Sequence, residues 1–145
     1  MTMYIKQLSV FVENKSGRLA EITSIIANAG IDIRALSIAD TTDFGILRLV
    51  VNKPDEAEQV LKAAGLTVSL TNVIAVGIPD RPGGFAETMT AIADKDVGVE
   101  YMYAFISRDS DRAYLIMRVI DNEKAISALQ AHGCDILDGN SIYKL

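Results

Sequence analysis

The chain is one unit written twice. Gly17-Arg18-Leu19-Ala20-Glu21 aligns with Gly83-Gly84-Phe85-Ala86-Glu87 at an offset of 66 residues. Ala57, Leu61, Ala63 and Gly65 align with Ala125, Leu129, Ala131 and Gly133 at an offset of 68. The slip falls in one polar stretch, Asp40-Thr41-Thr42-Asp43 against Arg108-Asp109-Ser110-Asp111-Arg112, which reads as the tip of a hairpin. A duplication whose only slip is a turn predicts two copies of one small fold, residues 1–71 and 72–145. Any site at a given place in the unit can then occur twice, or lie between the copies.

Halves of about 70 residues are marginal alone, so the copies are expected to share a core or a sheet. Half of the residues are hydrophobic and there is no Trp. A net charge of −5 with no basic run argues against nucleic acid, which calls for clustered Lys and Arg, and against an anionic membrane surface. The single cysteine, Cys134, excludes an internal disulfide framework and suits a reducing compartment. The N-terminus lacks the shape of a signal peptide, and no apolar run approaches the ~18 residues of a membrane span. These features predict a soluble, cytoplasmic protein.

Periodicity supplies the elements. Tyr4 to Val12 alternates with Leu8, Val10 and Val12 on one face, hence a strand. After a break, Leu19, Ile22, Ile26 and Ala29 recur at helical spacing, and Gly30 closes the helix. Ile31 to Ala39 and Gly45 to Val51 form a hairpin. Pro54 opens a second helix with Asp55 and Glu56 in its first turn; Ala57, Val60, Leu61 and Ala64 are its buried stripe. Thr67 to Leu70 reads as a short closing strand. The second copy repeats the order: strand 73–78, helix 83–95, hairpin 97–120, helix 122–132 and a last strand near 136–143. The prediction is α+β, two βαββαβ units with antiparallel sheets and both helices on one face, the ferredoxin-like plan. The opposite face is also apolar, with Ile46 and Val50 in one copy and Tyr114 and Ile116 in the other. Such a face is expected to meet another sheet or another subunit.

The two strand-to-helix turns, Glu13-Asn14-Lys15-Ser16-Gly17-Arg18-Leu19 and Pro79-Asp80-Arg81-Pro82-Gly83-Gly84-Phe85, carry a family resemblance. With Ala29-Gly30-Ile31-Asp32-Ile33 and the hairpin rhythm after it, they resemble the ACT domain, a small ligand-binding regulatory module of amino-acid metabolism. The family pattern is Asn or Asp, any residue, Pro, Gly, then an aliphatic residue. Asp80-Arg81-Pro82-Gly83 fits it, and the first turn keeps Asn14 and Gly17 with Ser16 at the Pro position. The resemblance implies an amino-acid ligand held by Asn14, Lys15, Ser16, Gly17, Arg18 and Leu19, with Asp32 and Ile33 from the strand after the helix. Asp32 stands where the serine-regulated phosphoglycerate dehydrogenase type carries Asn, and Val12 where that type carries His.

The physics of such a turn agrees. Glycine at a helix start lets a backbone approach a ligand closely, and the free N–H groups of a first helical turn favour a carboxylate. Asn14 can donate or accept, and Asp32 can pair an ammonium. In the second copy Asp80 replaces the Asn and Gly98 takes the place of Asp32, so the copies are not expected to bind alike. Asp80, Arg81, Gly83, Gly84 and Phe85 are secondary candidates, with Phe85 as a pocket wall.

Taken singly, these residues have plainer readings. Ser16 and Asp80 are common helix N-caps, and Arg18 and Arg34 read as surface charges. His132 and Cys134 are neighbours, but no spaced ligand set accompanies them, and Cys134 aligns with the core position Leu66. No metal, cofactor or catalytic constellation is expected. The reading is therefore a non-catalytic regulator that binds a free amino acid, is a homodimer, and acts on a separate metabolic enzyme. The alternatives are a small ferredoxin-like enzyme acting on an amino-acid derivative and a structural adaptor without a ligand.

Overall fold

The computed structural model describes residues 3–13, 15–40, 43–105 and 112–142. The chain divides into two compact units, Lys6–Thr71 and Met1–Ile5 with Asn72–Leu145. The first unit contains strand β1 (Ile5–Glu13), helix α1 (Arg18–Asn28), strands β2 (Ile33–Asp40) and β3 (Phe44–Val51), helix α2 (Pro54–Ala63) and the start of strand β4 (Val68–Pro79). β3 is antiparallel to β1 and to β2, with Leu8 and Leu36 both opposite Leu49, and Val10 and Ile38 both opposite Leu47. On the far side of β1, Phe11 N–H donates to the Thr67 carbonyl at 3.0 Å.

The helices lie where the apolar spacing directs them. Ile22 and Ile26 of α1, and Ala57 and Leu61 of α2, are four residues apart, share a face and are buried. They close over Leu8, Val10, Leu47, Leu49 and Val51. A fully buried Leu or Ile contributes about 1.5–3 kcal/mol relative to exposure, so this layer holds the unit together.

The second unit continues β4 and adds helix α3 (Gly84–Ala93), strands β5 (Val99–Phe105) and β6 (Arg112–Val119), helix α4 (Asn122–Ala131), strand β7 (Asp135–Leu137) and the short helix α5 (Gly139–Ile142). β4 lies between β6 and β7, and β5 flanks β6, all antiparallel. Its core gathers Ile74, Val76, Ile92, Met117, Val119 and Leu129. The Tyr4 hydroxyl donates to the Glu123 carboxylate, which ties the first residues of the chain to this unit.

Three expectations change. Thr67–Leu70 and 73–78 are parts of one strand, because Thr71-Asn72 offers neither Gly nor Pro to break it. The last strand ends at Leu137: the Asp138 carboxylate accepts from Ser141 N–H at 2.7 Å and starts a helical turn in place of a strand. Neither Ser16 nor Asp80 caps a helix; the N-cap residues are Gly17 (φ 82°) and Gly83 (φ 89°), both left-handed. The hairpin tips at 41–42 and 106–111 lie outside the described residues, as do 143–145. On the face turned from the helices, Val50 and Ile116 are completely buried, while Phe11 and Phe44 stay half exposed with ring centroids 5.7 Å apart.

Candidate ligand site at the first strand-to-helix turn

β1 ends at Glu13 and the backbone turns at once. Lys15 N–H donates to the Glu13 carbonyl at 2.8 Å, and Arg18 N–H to the Lys15 carbonyl at 3.2 Å. Gly17 then takes the left-handed conformation that lets α1 begin at Arg18, and Glu21 N–H closes the first helical bond on the Gly17 carbonyl at 3.0 Å. Among the described residues no side-chain hydrogen bond caps this helix start. Beside it lies a cavity of about 150 Å³ lined by Val12, Glu13, Lys15, Arg18, Leu19, Ile38 and Gly45.

The lining is polar on one side and apolar on the other. Lys15 Nζ lies 2.9 Å from the Glu13 carboxylate. That hydrogen bond, and then the ammonium charge behind it, holds the Glu13 carboxyl below its usual range. Arg18 Nη1 donates to the Glu21 carboxylate at 3.1 Å, while Arg18 Nε is buried without a partner. Leu19 and Ile38 expose 40% and 49% of their surface, enough for an apolar group to rest against them. Gly45 has no side chain to fill the space.

The structure brings Lys15, Arg18 and Leu19 together at this cavity. Ser16 is exposed and Gly17 shapes the turn without lining the cavity. Asn14 lies outside the described residues. Asp32 and Ile33 are not brought to this turn: Ile33 faces Val51, at the end of β2 away from Ile38, ~17 Å along the strand. The Asp32 carboxylate pairs with Arg34 at 3.0 Å, and Asp32 N–H donates to Asn52 Oδ1 at 3.0 Å. Arg34 is thus a partner of Asp32 and not a lone surface charge. Glu13, Ile38 and Gly45 were not among the expected site residues. Glu13 could have been found as the carboxylate that ends the strand directly before the turn; Ile38 and Gly45 become neighbours only through hairpin register.

The second turn is built differently. Arg81 holds the Glu87 carboxylate with two hydrogen bonds of 3.2 and 2.8 Å, and also donates to the Pro82 carbonyl at 3.4 Å. Gly84 stands where the first unit has Arg18, and a Cβ there would lie 2.2 Å from the Pro79 carbonyl oxygen. Asp80 and Gly83 are exposed, and Phe85, at the Leu19 position, is half exposed. Elsewhere in the unit, Cys134 is buried 4.0 Å from Thr88 Oγ1, and burial pushes its thiol pKa up. His132 is the exposed C-cap of α4. Among the described residues no three His, Cys, Asp or Glu side chains gather to hold a metal ion, and no helix is long and apolar enough to cross a membrane.

The profile of the ACT domain pair matches residues 3–145. The chain belongs to this family. ACT domains are ligand-binding regulatory modules of amino-acid metabolism, and here two stand in tandem. The chain is similar to protein BT0572 from Bacteroides thetaiotaomicron, at 39% identity over 99% of this chain and 98% of that one, with a TM-score of 0.92. Its fold is shared with the regulatory subunit of aspartate kinase from Thermus thermophilus, at 18% identity over 88% of this chain and 90% of that one, with a TM-score of 0.69. The corresponding subunit from Thermus flavus has 19% identity over 87% and 88%, with a TM-score of 0.64. No protein of curated function matches the chain.

Proposed function

We propose that this ACT domain pair is a non-catalytic sensor that binds one free amino acid at the first turn and controls a separate metabolic enzyme. The observation that carries this reading is the cavity at the start of α1, where opposite charges and apolar walls meet within about 150 Å³. The unpartnered Arg18 Nε and the free N–H groups of α1 suit a carboxylate. Glu13 suits an ammonium group, and Leu19 and Ile38 suit a small aliphatic side chain. Asn14, between Glu13 and Lys15 in the sequence, is proposed to complete the set. The second turn, with Arg81 already occupied by Glu87, is proposed to stay empty, giving one ligand per chain.

Binding would shift association or partner contact only by its differential affinity for two arrangements of the chain. Two solved proteins that share this fold are regulatory subunits of an aspartate kinase, which supports a separate partner enzyme here; dimerisation and a cytoplasmic location are parts of the same proposal. The test is a thermal-shift screen of the purified chain against the twenty amino acids at millimolar concentration, followed by calorimetry. A ligand bound only by the native state raises the melting temperature, by about 2.7 kcal/mol of stability at a hundredfold excess over Kd. A rise confined to one amino acid or a few related ones supports the sensor. A flat response to all twenty removes it and leaves the adaptor reading.

A further inference from the structure

The outer face of α3 and α4 carries a groove of about 570 Å³ whose origin is visible by comparison with the other copy of the unit. Where α1 and α2 carry Ile25 and Val60, both packed on the core of their unit, α3 and α4 carry Ala91 and Ala128 at the floor of the groove. Two side-chain truncations in one copy of a duplicated unit leave a trough between its helices. Ala86, Thr90 and Ala131 continue the small-residue lining. Short side chains let another helix approach to the lower end of the 8–10 Å interaxial range.

The charges on this face are arranged about a centre. Glu87, Ala91 and Lys95 succeed one another four residues apart and so lie on one ridge. Lys95 sits in the turn that ends α3, its N–H still bonded to the Ile92 carbonyl at 3.1 Å. Glu87 and Lys95 are equidistant from Ala91, ~6 Å to either side along the axis. A two-fold axis through Ala91 sets α3 antiparallel to its copy and brings each Glu87 to the other copy's Lys95. Arg81 grips Glu87 at 2.8 Å. The result is an opposite-charge pair at each end, with the two helix dipoles opposed. Lys95 has no ion-pair partner within the chain among the described residues. In the other unit the same ridge reads Glu21, Ile25, Ala29, which lacks both the cation and the trough.

Resting on the dimerisation proposed above, we propose that this groove is the contact between two copies of the chain, joined α3 to α3 about an axis at Ala91. The test uses sedimentation equilibrium of the full chain with two charge variants. Native protein should dimerise at tens of micromolar. Glu87→Lys alone and Lys95→Glu alone each place like charges at both symmetric ends, and each should weaken self-association by roughly tenfold or more. An equal mixture of the two should recover dimer at native strength, because every facing pair is again opposite in sign. Ala91→Arg, which sets two cations on the axis, should abolish the dimer. Native melting temperatures in the variants exclude loss of fold as the cause. A native chain that stays monomeric at about 100 µM overturns the proposal. So do single variants that dimerise as tightly as the native chain, or a mixture that recovers nothing.

Discussion

Replacing Gly84 by Ala should unsettle the second unit through one contact. Gly84 is not among the left-handed glycines, so its backbone would accept any residue. The obstacle is space: the added Cβ would lie 2.2 Å from the carbonyl oxygen of Pro79. A carbon and a carbonyl oxygen approach comfortably only to ~3.3 Å, so about 1 Å must be found by moving backbone against backbone. Overpacking of this kind costs about 3 kcal/mol at the upper end of its usual range. Alanine's helix preference over glycine returns up to ~1 kcal/mol. The net is a loss of about 2 kcal/mol, which for a chain of this length lowers the melting temperature by about 4–8 °C. Gly98→Ala is the control. There the Cβ meets Ile120 Cγ1 at 3.2 Å, a side-chain atom of an exposed residue with room to shift, so the change should be under about 0.5 kcal/mol. Scanning calorimetry measures both. A Gly84→Ala melting temperature equal to or above the native value would refute the reasoning, and so would equal losses in the two variants.

Further outcomes follow from the first turn and the core. Arg18→Ala removes the group whose Nε is buried without a partner, so amino-acid affinity should fall about tenfold or more in calorimetry; its melting temperature without ligand should stay within about 2 °C of native. The Glu13 carboxyl is held low by Lys15, so its share of stability and of ammonium binding is complete above the ordinary carboxylate range and fades only as pH drops through the lowered value. Affinity should therefore be flat from pH 8 to pH 5 in the native chain; a titration step inside that window would mean that another group carries the binding. Gly17→Ala forces a left-handed alanine and should cost about 1–2 kcal/mol in chemical denaturation even though, its chain neighbours aside, no described atom lies within 4 Å of the new Cβ. Cys134, buried and with its thiol pKa raised, should react with a thiol reagent at pH 8 only as fast as the unit opens, and urea should speed the reaction.

Most of the fold was legible because it rests on local periodicity. Ile22 with Ile26, and Ala57 with Leu61, announced which helix faces would be buried, and Leu8-Val10 against Leu47-Leu49 announced the sheet face they would cover. The duplication checked each element against its copy. What escaped depends on single residues in context. Thr71-Asn72 has no Gly or Pro to end a strand, but the repeat boundary there reads as a break, and Asp138 reads equally as strand end or helix cap until Ser141 is seen to bond to it. The site was half legible. Lys15, Arg18 and Leu19 come from the turn itself, where sequence neighbours are spatial neighbours. Ile38 and Gly45 arrive through pairing register, and Asp32 lies apart from this cavity because a strand carries its first residue away from its last.

The division between the two compact units passes through β4, between Thr71 and Asn72, and not through a linker. A gene cut at that point would end one product and begin the other in mid-strand, with ladder hydrogen bonds left open. Half-length products are therefore expected to precipitate or swap strands, and a protease should find no soft joint between residues 68 and 79. The ancestry of the molecule can be read along its sequence, but scissors will not recover the ancestor.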